Sequence, residues 1–344
     1  MKPMNFCVYI FSTMLGMAAC SKSGDKTVTP PPVQTDTAKT PYQTLNYLYN
    51  ISGKQVLSGI HNREPNSAPA VWTERIKTVT GKYPALWSGD FLFQSDNINN
   101  RQLMIDEAVR QWNQGAVINL MWHACNPAND EPCEWDNGKG VLSSLTDDQW
   151  RELITDGSPL NLKWKGRVDE VCTYLQQLKD KGVEVLWRPF HEMNQGKFWW
   201  GGRPGASGTV KLYQLMHDYL VKTRGLTNLV WVWDVQDFSS LANDVAVYNP
   251  GAAYFDIAAL DVYDGSGYTQ AKYEAMTKAA AGKPFAIGEC QRLPTATELK
   301  MQPRWTFFMS WSELTFDNNS DMEIQALYNA PNVLTLDKLP GWKK

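Results

Sequence analysis

Strand-like and helix-like runs alternate along this chain from residue 42 onward. Eight runs of apolar and β-branched residues have the length of a β-strand, and longer runs with one apolar face separate most of them. In residues 164–181, for example, Val168, Val171, Leu175 and Leu178 form a single helical face. Alternation of this kind is typical of parallel strands joined by crossover helices. The eight strand candidates are residues 55–61, 83–90, 116–122, 183–187, 229–233, 257–263, 285–288 and 307–311.

Eight strand–helix units in 344 residues predict an α/β protein with a (β/α)8 TIM-barrel fold. The rival fold is an open doubly wound sheet, which needs a glycine-rich phosphate turn after its first strand. The sequence has no such turn. Long insertions follow the third strand, at residues 125–160, and the fourth strand. Because long loops in compact domains tend to be functional, we expect these two to shape a groove at the barrel mouth.

The N-terminal segment differs from the rest of the chain. A mostly apolar run at residues 6–17 is too short for an ordinary membrane span, and small residues then precede Cys20. This segment resembles a bacterial lipoprotein signal, which implies a signal peptide at residues 1–19 and lipid on Cys20. An uncleaved anchor or plain secretion is the alternative. Residues 20–39 are rich in Ser, Thr, Pro and Lys and predict a flexible tether, followed by a folded domain at 40–344.

The lipid would hold the exported protein on a bacterial membrane, at the cell surface or on the periplasmic face of the outer membrane. We expect no other membrane contact. The net charge is −3 and no run of Lys or Arg stands out, so a nucleic-acid partner is not expected. The sequence implies no organic cofactor, and we expect a monomer.

The cysteines outside the signal do not have the spacing of a metal site. Neither a Cys-x-x-Cys pair nor a His cluster is present, so we expect no metal. Cys125 and Cys133 lie in one loop, where export would permit a disulfide, but the sequence leaves their pairing open. Cys172 and Cys290 are expected to be buried thiols.

Polar or aromatic side chains follow every strand candidate. Any one of them could be an ordinary cap of a strand or helix. Together they predict that one rim of the barrel is polar and aromatic, as a sugar-binding mouth should be. In chain order they are His61 and Asn62, Asp90, Trp122 and His123, His191 and Glu192, Trp233 and Asp234, Tyr263 and Asp264, Glu289, and Trp311 to Glu313.

The fourth strand and its loop carry the densest group of such residues. We expect this strand to end at about Arg188 and Pro189, because proline has no N–H to give to a sheet. His191, Glu192 and Asn194 follow, and then three aromatic residues and two glycines. Aromatic rings stack on the C–H faces of a pyranose, and the polar side chains would bind its hydroxyls. This combination favours a carbohydrate site.

Glycoside hydrolysis requires two carboxyl groups, one on each side of the scissile bond. Glu192 is the first candidate, and Glu289, which directly follows the seventh strand candidate, is the second. Strands four and seven of an eight-stranded barrel lie far enough apart to face each other across its mouth. An ion pair between Glu289 and Arg292 is the structural alternative. We expect Glu192 to have a raised pKa, and Arg188 and Tyr263 to donate to Glu289.

The segment R-P-F-H-E-M-N-x-G-x-F-W-W-G-G, at residues 188–202, resembles glycoside hydrolase family 26, whose best-known members are β-mannanases. The resemblance implies that Glu192 is the general acid/base and Glu289 the nucleophile of a retaining reaction. Tyr263 would touch the nucleophile, and Trp311 would form the aromatic floor under the reacting sugar. Lys197 departs from the pattern, since many members have a tryptophan there. The residues expected to bind substrate are Trp122, His123, Arg188, His191, Asn194, Phe198, Trp199, Tyr263 and Trp311.

These features together predict a retaining hydrolase that cleaves β-1,4-mannosidic bonds in mannan, glucomannan or galactomannan. The partner would be a β-mannan polysaccharide or oligosaccharide. A mixed-linkage β-glucanase or a xylanase of the same family is the alternative among enzymes. A surface glycan-binding lipoprotein on an inactive barrel is the alternative from another class. That alternative predicts the loss of one carboxylate, and both are present.

Overall fold

The computed structural model describes residues 40–339. The predicted signal peptide, Cys20 and the predicted tether lie outside the described residues. Eight parallel strands form a ring in the order β2-β3-β4-β5-β6-β7-β8-β1, and pairing of β1 with β2 closes it. Helices surround the ring. The expected (β/α)8 barrel is confirmed.

The strands of the barrel are β1 (Val56–His61), β2 (Leu86–Asp90), β3 (Val117–Trp122), β4 (Val185–Pro189), β5 (Leu229–Gln236), β6 (Ile257–Val262), β7 (Phe285–Cys290) and β8 (Trp305–Trp311). The two-residue strand β9 (Val333–Leu334) pairs with the start of β1. The helices are α1 (Gln43–Ile51), α2 (Val71–Thr80), α3 (Ser95–Asn99), α4 (Arg101–Gln114), α5 (Asp147–Leu153), α6 (Pro159–Asp180), α7 (Thr209–Asp218), α8 (Leu241–Val247), α9 (Gln270–Ala280), α10 (Ala296–Met301), α11 (Ser312–Asp317) and α12 (Asp321–Tyr328). A π-helical turn, Tyr219–Thr223, continues α7, and a 3-10 turn, Leu336–Lys338, follows β9.

Three strands extend beyond their predicted ends. β4 includes Arg188 and Pro189, which were expected to end it; proline is tolerated as the last residue because its missing N–H affects only the end of the ladder. β5 includes Asp234, and β7 includes Glu289. These acids lie inside strands because Arg188 neutralises them within the barrel.

The barrel interior changes in character from one end to the other. Its N-terminal half is apolar, with Leu57, Leu186 and Val230 packed against the helix α1. Glu184, at the foot of β4, accepts hydrogen bonds from the first N–H groups of α1 at 2.8 and 2.7 Å, which satisfies donors that the helix itself leaves open. Because strand side chains alternate with a period of two, Arg188 faces inward as Leu186 does.

A β-bulge in β7 alters this alternation at one position. The pairing with β6 runs from Leu260 opposite Ile287 to Asp261 opposite Glu289, so Gly288 is an extra residue. A Cβ on Gly288 would point at the carboxylates of Asp234 and Asp261. The bulge therefore lets Glu289 face the interior as well, directly after an inward-facing glycine.

The cysteines of the described chain form one disulfide and two thiols. Cys125 and Cys133 are bonded, with their Cα atoms 5.9 Å apart, in the long loop after β3. Cys172 and Cys290 are free and buried, as expected. Within residues 40–339, no helix has both the length and the apolar character that crossing a bilayer requires.

Candidate active site

A cavity of about 570 Å³ opens at the C-terminal ends of the barrel strands, where the polar rim was expected. Residues that follow β1, β2, β3, β4, β6 and β8, with others in β5 and β7, contribute to its wall. Its lining includes Arg63, Glu64, Phe93, Gln94, His123, Trp135, His191, Glu192, Gln195, Lys197, Phe198, Gln236, Tyr263, Glu289, Trp311 and Glu313.

Two of the lining residues are Glu192 and Glu289, which are 5 % and 4 % exposed. One carboxylate oxygen from each of Glu192, Asp261 and Glu289 lies within 4.8 Å of the others. A retaining glycosidase has its two carboxyl groups about 5–5.5 Å apart, and an inverting one about 6.5–9.5 Å apart. The close approach of Glu192 to Glu289 suits direct attack on the sugar more than attack by an intervening water.

Arg188 holds the acids of the barrel interior together. Its Nη1 donates to Asp234 Oδ2 and Asp261 Oδ2, both at 2.9 Å, and its Nη2 donates to Glu289 Oε1. The guanidinium is buried beneath the cavity rather than lining it. Arg188 was expected to bind substrate, but its donors are directed at carboxylates because it lies one level deeper in the barrel.

Glu289 receives two hydrogen bonds. Tyr263 Oη donates to its Oε2 at 2.8 Å, and Arg188 donates to its Oε1, so both donors named from the sequence lie on this carboxylate. Burial raises the pKa of Glu289, whereas the Arg188 charge and the two hydrogen bonds act to lower it. The carboxylate is therefore held at a fixed orientation, with both oxygens placed by charged or polar donors.

Glu192 lies in a strained turn just after β4. Its backbone φ angle is 50°, a value that residues other than glycine seldom adopt. Its N–H donates to Asp234 Oδ1 at 2.9 Å. Burial, and then the charge of Glu289, raise its pKa well above the ordinary range for a glutamate. Such a shift favours the protonated form of the carboxyl group, which is the form that a general acid needs.

Two histidines stand beside the carboxylates. His123 Nδ1 and Asp90 Oδ2 are 2.6 Å apart, and the imidazole rings of His123 and His191 make an edge contact at 4.5 Å between centroids. Burial, and then the neighbouring His123, lower the pKa of His191 well below its usual range. A neutral imidazole can accept as well as donate, which suits binding of sugar hydroxyls.

Aromatic rings form the remaining walls. Trp311 lines the cavity and stacks on His61 at 4.3 Å, and Phe198 lines it while stacking on the buried Trp200 at 4.4 Å. Trp135, from the disulfide-bonded loop, packs edge-on to Phe198 at 5.9 Å. Lys197 Nζ lies 5.4 Å from the Trp135 ring centroid, so a cation borders this wall where many family members have an indole.

Three of the expected substrate contacts lie away from the cavity. Trp122 points outward from β3, because Met121 faces the interior and successive side chains alternate. Trp199 is buried in the loop and donates to the Ala124 carbonyl at 2.7 Å. Asn194 braces the end of β5, with hydrogen bonds to the Gln236 carbonyl at 2.9 Å and from the Gln236 N–H at 2.7 Å. These three side chains support the site structurally.

Several lining residues escaped the sequence analysis. Gln195 and Gln236 have no distinguishing pattern, since Gln195 follows another amide in a polar loop and Gln236 ends a mostly apolar strand. Arg63, which follows β1, was not predicted; it pairs at 2.8 Å with Glu313 of α11, which lies 250 positions later in the sequence. Trp135 could have been found, because a tryptophan in a long loop predicted to be functional is itself a signal for a sugar contact.

Glu192, Asp261 and Glu289 are also the one group within residues 40–339 whose ligand atoms are close enough for a metal ion. Arg188 already supplies positive charge to Asp261 and Glu289. A guanidinium between two carboxylates competes with a cation for the same oxygens. Arg188 therefore already compensates part of the negative charge of this cluster.

A barrel with two close carboxylates and aromatic walls at its C-terminal mouth has the features of a glycoside hydrolase. Residues 33–338 match the family model described as glycosyl hydrolase family 26. The chain belongs to this family.

Named relatives agree with this placement. A mannan endo-1,4-beta-mannosidase of Thermothelomyces thermophilus is 31% identical over 87% of this chain and 61% of its own length. The structure of GH26A from Muricauda sp. MAR_2010_75 is 35% identical, covers 86% of this chain and 95% of its own, and has a TM-score of 0.81. The structure of a β-mannanase from a symbiotic protist of the termite Reticulitermes speratus, in complex with a gluco-manno-oligosaccharide, is 26% identical and has a TM-score of 0.75. The match covers 86% of this chain and 93% of that one. The chain spans 61% and 63% of the lengths of the first two curated relatives that it matches.

Proposed function

We propose that this protein is a retaining glycoside hydrolase that cleaves β-1,4-mannosidic bonds in mannan, glucomannan or galactomannan. The observation that carries the proposal is the close approach of Glu192 and Glu289 in the mouth of a family 26 barrel. Mannan is favoured as the substrate because the curated relative from Thermothelomyces thermophilus is a mannan endo-1,4-beta-mannosidase.

In the first step, a carboxylate oxygen of Glu289 forms a bond to the anomeric carbon from the α face. The bond between that carbon and the glycosidic oxygen breaks, and the proton of Glu192 passes to the departing oxygen. The Arg188 and Tyr263 donors keep Glu289 ionised and aligned for this attack. The product of the step is a mannosyl ester on Glu289 and an ionised Glu192.

In the second step, Glu192 takes a proton from a water molecule on the β face. The water oxygen bonds to the anomeric carbon, and the ester bond to Glu289 breaks, which restores both carboxyl groups to their starting states. Two inversions yield a product with the β configuration of the substrate. Trp311 forms part of the cavity wall and is the proposed stacking surface for the reacting ring.

Azide rescue tests the two roles separately. Glu289→Ala and Glu192→Ala should each lose at least a factor of about 100 in kcat on mannan. With an activated aryl mannoside, azide should form the α-azide in Glu289→Ala, where it replaces the nucleophile. In Glu192→Ala it should form the β-azide, where it replaces the activated water.

Glu313→Ala is the matched control, because it removes another carboxylate of the same cavity, and we expect no azide product from it. NMR of the initial hydrolysis product should show retention. Inversion, or the same azide anomer from both variants, would reject the assigned roles. Reducing-sugar release from mannan, lichenan and xylan separates a mannanase from the glucanase and xylanase alternatives, and release from none of them favours a binding protein.

We further propose that the protein is exported and lipid-anchored through Cys20 after removal of residues 1–19. The support is the apolar run followed by small residues before Cys20. Incorporation of an alkyne-labelled fatty acid should depend on this thiol, so Cys20→Ser should abolish labelling and release the protein from membranes. Equal labelling of wild type and Cys20→Ser would reject the anchor.

A further inference from the structure

Gln195 contacts Glu192 directly from within the cavity wall. Its Nε2 donates to Glu192 Oε2, and the same nitrogen donates to Gln236 Oε1 at 2.6 Å. The other carboxyl oxygen of Glu192, Oε1, has no hydrogen-bond partner within residues 40–339. The two oxygens of Glu192 therefore have different surroundings.

Gln236 determines which end of the Gln195 amide faces Glu192. Both acceptors, Glu192 Oε2 and Gln236 Oε1, lie on the Nε2 side, so a flipped amide would direct its oxygen at two oxygens. The backbone of Gln236 is fixed at the end of β5, because Asn194 binds its main-chain carbonyl and N–H. With Gln236 Oε1 facing it, the Gln195 amide directs its nitrogen at Glu192.

The backbone of Gln195 is equally constrained. Its N–H donates to the Glu192 carbonyl at 2.8 Å, which closes a tight turn. A Cβ on Gly201 would lie 2.2 Å from the Gln195 carbonyl oxygen, and one on Gly202 would lie 2.5 Å from Gly196 Cα. The paired glycines therefore let the end of the loop pack directly on the residues that carry the Gln195 side chain.

We propose that Gln195 is a positioning residue for the acid/base: it holds Oε2 of Glu192, so that the transferable proton resides on Oε1 and faces the glycosidic oxygen. This inference rests on the proposed function of Glu192. A carboxylic acid that accepts at one oxygen presents its O–H from the other, so one hydrogen bond defines the direction of proton transfer.

The same hydrogen bond has an electrostatic consequence. A donor on Oε2 stabilises the ionised carboxylate more than the neutral acid, so it acts to lower the pKa of Glu192. The other charged or titratable groups that influence Glu192 are Glu289, Asp234, Lys197, Arg188, Asp261 and Tyr263, and they remain in a Gln195 variant. Loss of the amide should therefore raise this pKa and shift the basic limb of the pH profile upward.

The test uses the full chain with two substrates, polymeric mannan and 2,4-dinitrophenyl β-mannobioside. Dinitrophenolate departs without a proton, so kcat/KM for the second substrate does not need the acid. Gln195→Met should lose about tenfold in kcat/KM on mannan and at most about twofold on the aryl substrate. Its basic limb on mannan should move upward by about one pH unit.

Gln195→Glu is the second variant, and its pH profile on mannan tests the inference if Gln195→Met does not fold. It retains the length of the side chain but adds negative charge, so its basic limb should also move upward. Gln214→Met is the matched control: it removes an amide that lies outside the cavity and donates to the Pro250 carbonyl, and its pH profile should overlay that of the wild type.

An equal fall in kcat/KM on both substrates, with an unchanged basic limb of the pH profile, would overturn the inference. Gln195 would then have only a structural role in the loop. Glu192→Ala distinguishes this failure from failure of the proposed function. If Glu192→Ala spares the aryl substrate and the Gln195 variants do not, only the inference fails. If kcat/KM of Glu192→Ala falls equally on both substrates, Glu192 is not the general acid. The proposed function then fails together with the inference about Gln195.

Discussion

Glu192 and Glu289 are the same residue type in one cavity, yet their surroundings differ. Burial acts on both carboxyl groups and raises both pKa values. Glu289 has Arg188 and Tyr263 as donors, whereas Glu192 has only the amide of Gln195 among the described side chains. These donors favour the negative charge on Glu289 and the proton on Glu192.

Tyr263→Phe tests this division of charge. The change removes a hydrogen bond of 2.8 Å that stabilises ionised Glu289, so the pKa of Glu289 should rise and the acidic limb of kcat/KM should move to higher pH. We expect a loss of about tenfold to a hundredfold in kcat/KM on mannan. Tyr268→Phe is the control, because that hydroxyl donates to the Arg292 carbonyl outside the cavity. An unmoved acidic limb in Tyr263→Phe would contradict the proposed role.

Among the elements, β7 determines how the charged layer of the barrel is assembled. Its bulge at Gly288 directs Glu289 inward, and the missing side chain of Gly288 leaves room for Asp234 and Asp261. Those acids bind the Arg188 that in turn binds Glu289. One glycine in one strand therefore controls the packing of four charged side chains that come from four different strands.

Gly288→Ala should disturb this layer. The new Cβ would lie 2.5 Å from Asp234 Oδ2 and 2.6 Å from Asp261 Oδ1, which is closer than the atoms can approach. We expect the free energy of unfolding to fall by about 2 kcal/mol, measured by urea denaturation, and kcat/KM to fall with it. Gly166→Ala in α6 is the control, since no atom lies within 4 Å of its Cβ position. The free energy of unfolding of Gly166→Ala should rise by about 0.5–1 kcal/mol. An equal effect of the two substitutions on stability would contradict the steric argument.

The charged side chains in the interior of the barrel lie in one half of it. The N-terminal half is closed by apolar side chains and α1, while the C-terminal half holds Arg188 and several buried acids and histidines. Burial lowers the pKa of His61 to about 4. Burial alone would raise the pKa of Asp90, but His123 and then His61 hold it well below its usual range. Such groups make the stability of the entire fold depend on pH.

The sign of this dependence follows from His61. Unfolded histidine has a pKa of about 6.5, so between that value and about 4 the unfolded chain binds a proton that the folded chain does not. Stability is therefore lost as the pH falls through this range. Between pH 7 and pH 5, the free energy of unfolding of the wild type should fall by about 2 kcal/mol more than that of His61→Gln. Urea denaturation at each pH measures both. Equal losses in both proteins would contradict the assignment.

The local pattern of residues was sufficient to predict the barrel, since apolar runs of strand length and helical runs with one apolar face are properties of short segments. It also predicted the polar and aromatic rim of the barrel. Parallel strands bring their C-terminal ends to the same edge, whatever the packing of the helices. The motif at residues 188–202 and the position of Glu289 were sufficient to name the two carboxyl groups. The short helices α3, α5, α8, α10 and α11 and the strand β9 were not predicted, because their few residues carry too little periodicity.

Only the tertiary structure determined which side chains face the cavity and which support it. Trp122 and Trp199 resemble Trp311 in the sequence, but strand alternation and the turn of the loop direct them into the core. Arg188 binds carboxylates that lie 46 to 101 positions away, and Gln195 contacts Gln236, which lies 41 positions away. The physical reason is that composition and spacing determine a local conformation, whereas hydrogen-bond partners and pKa values depend on groups that only the closed barrel brings together.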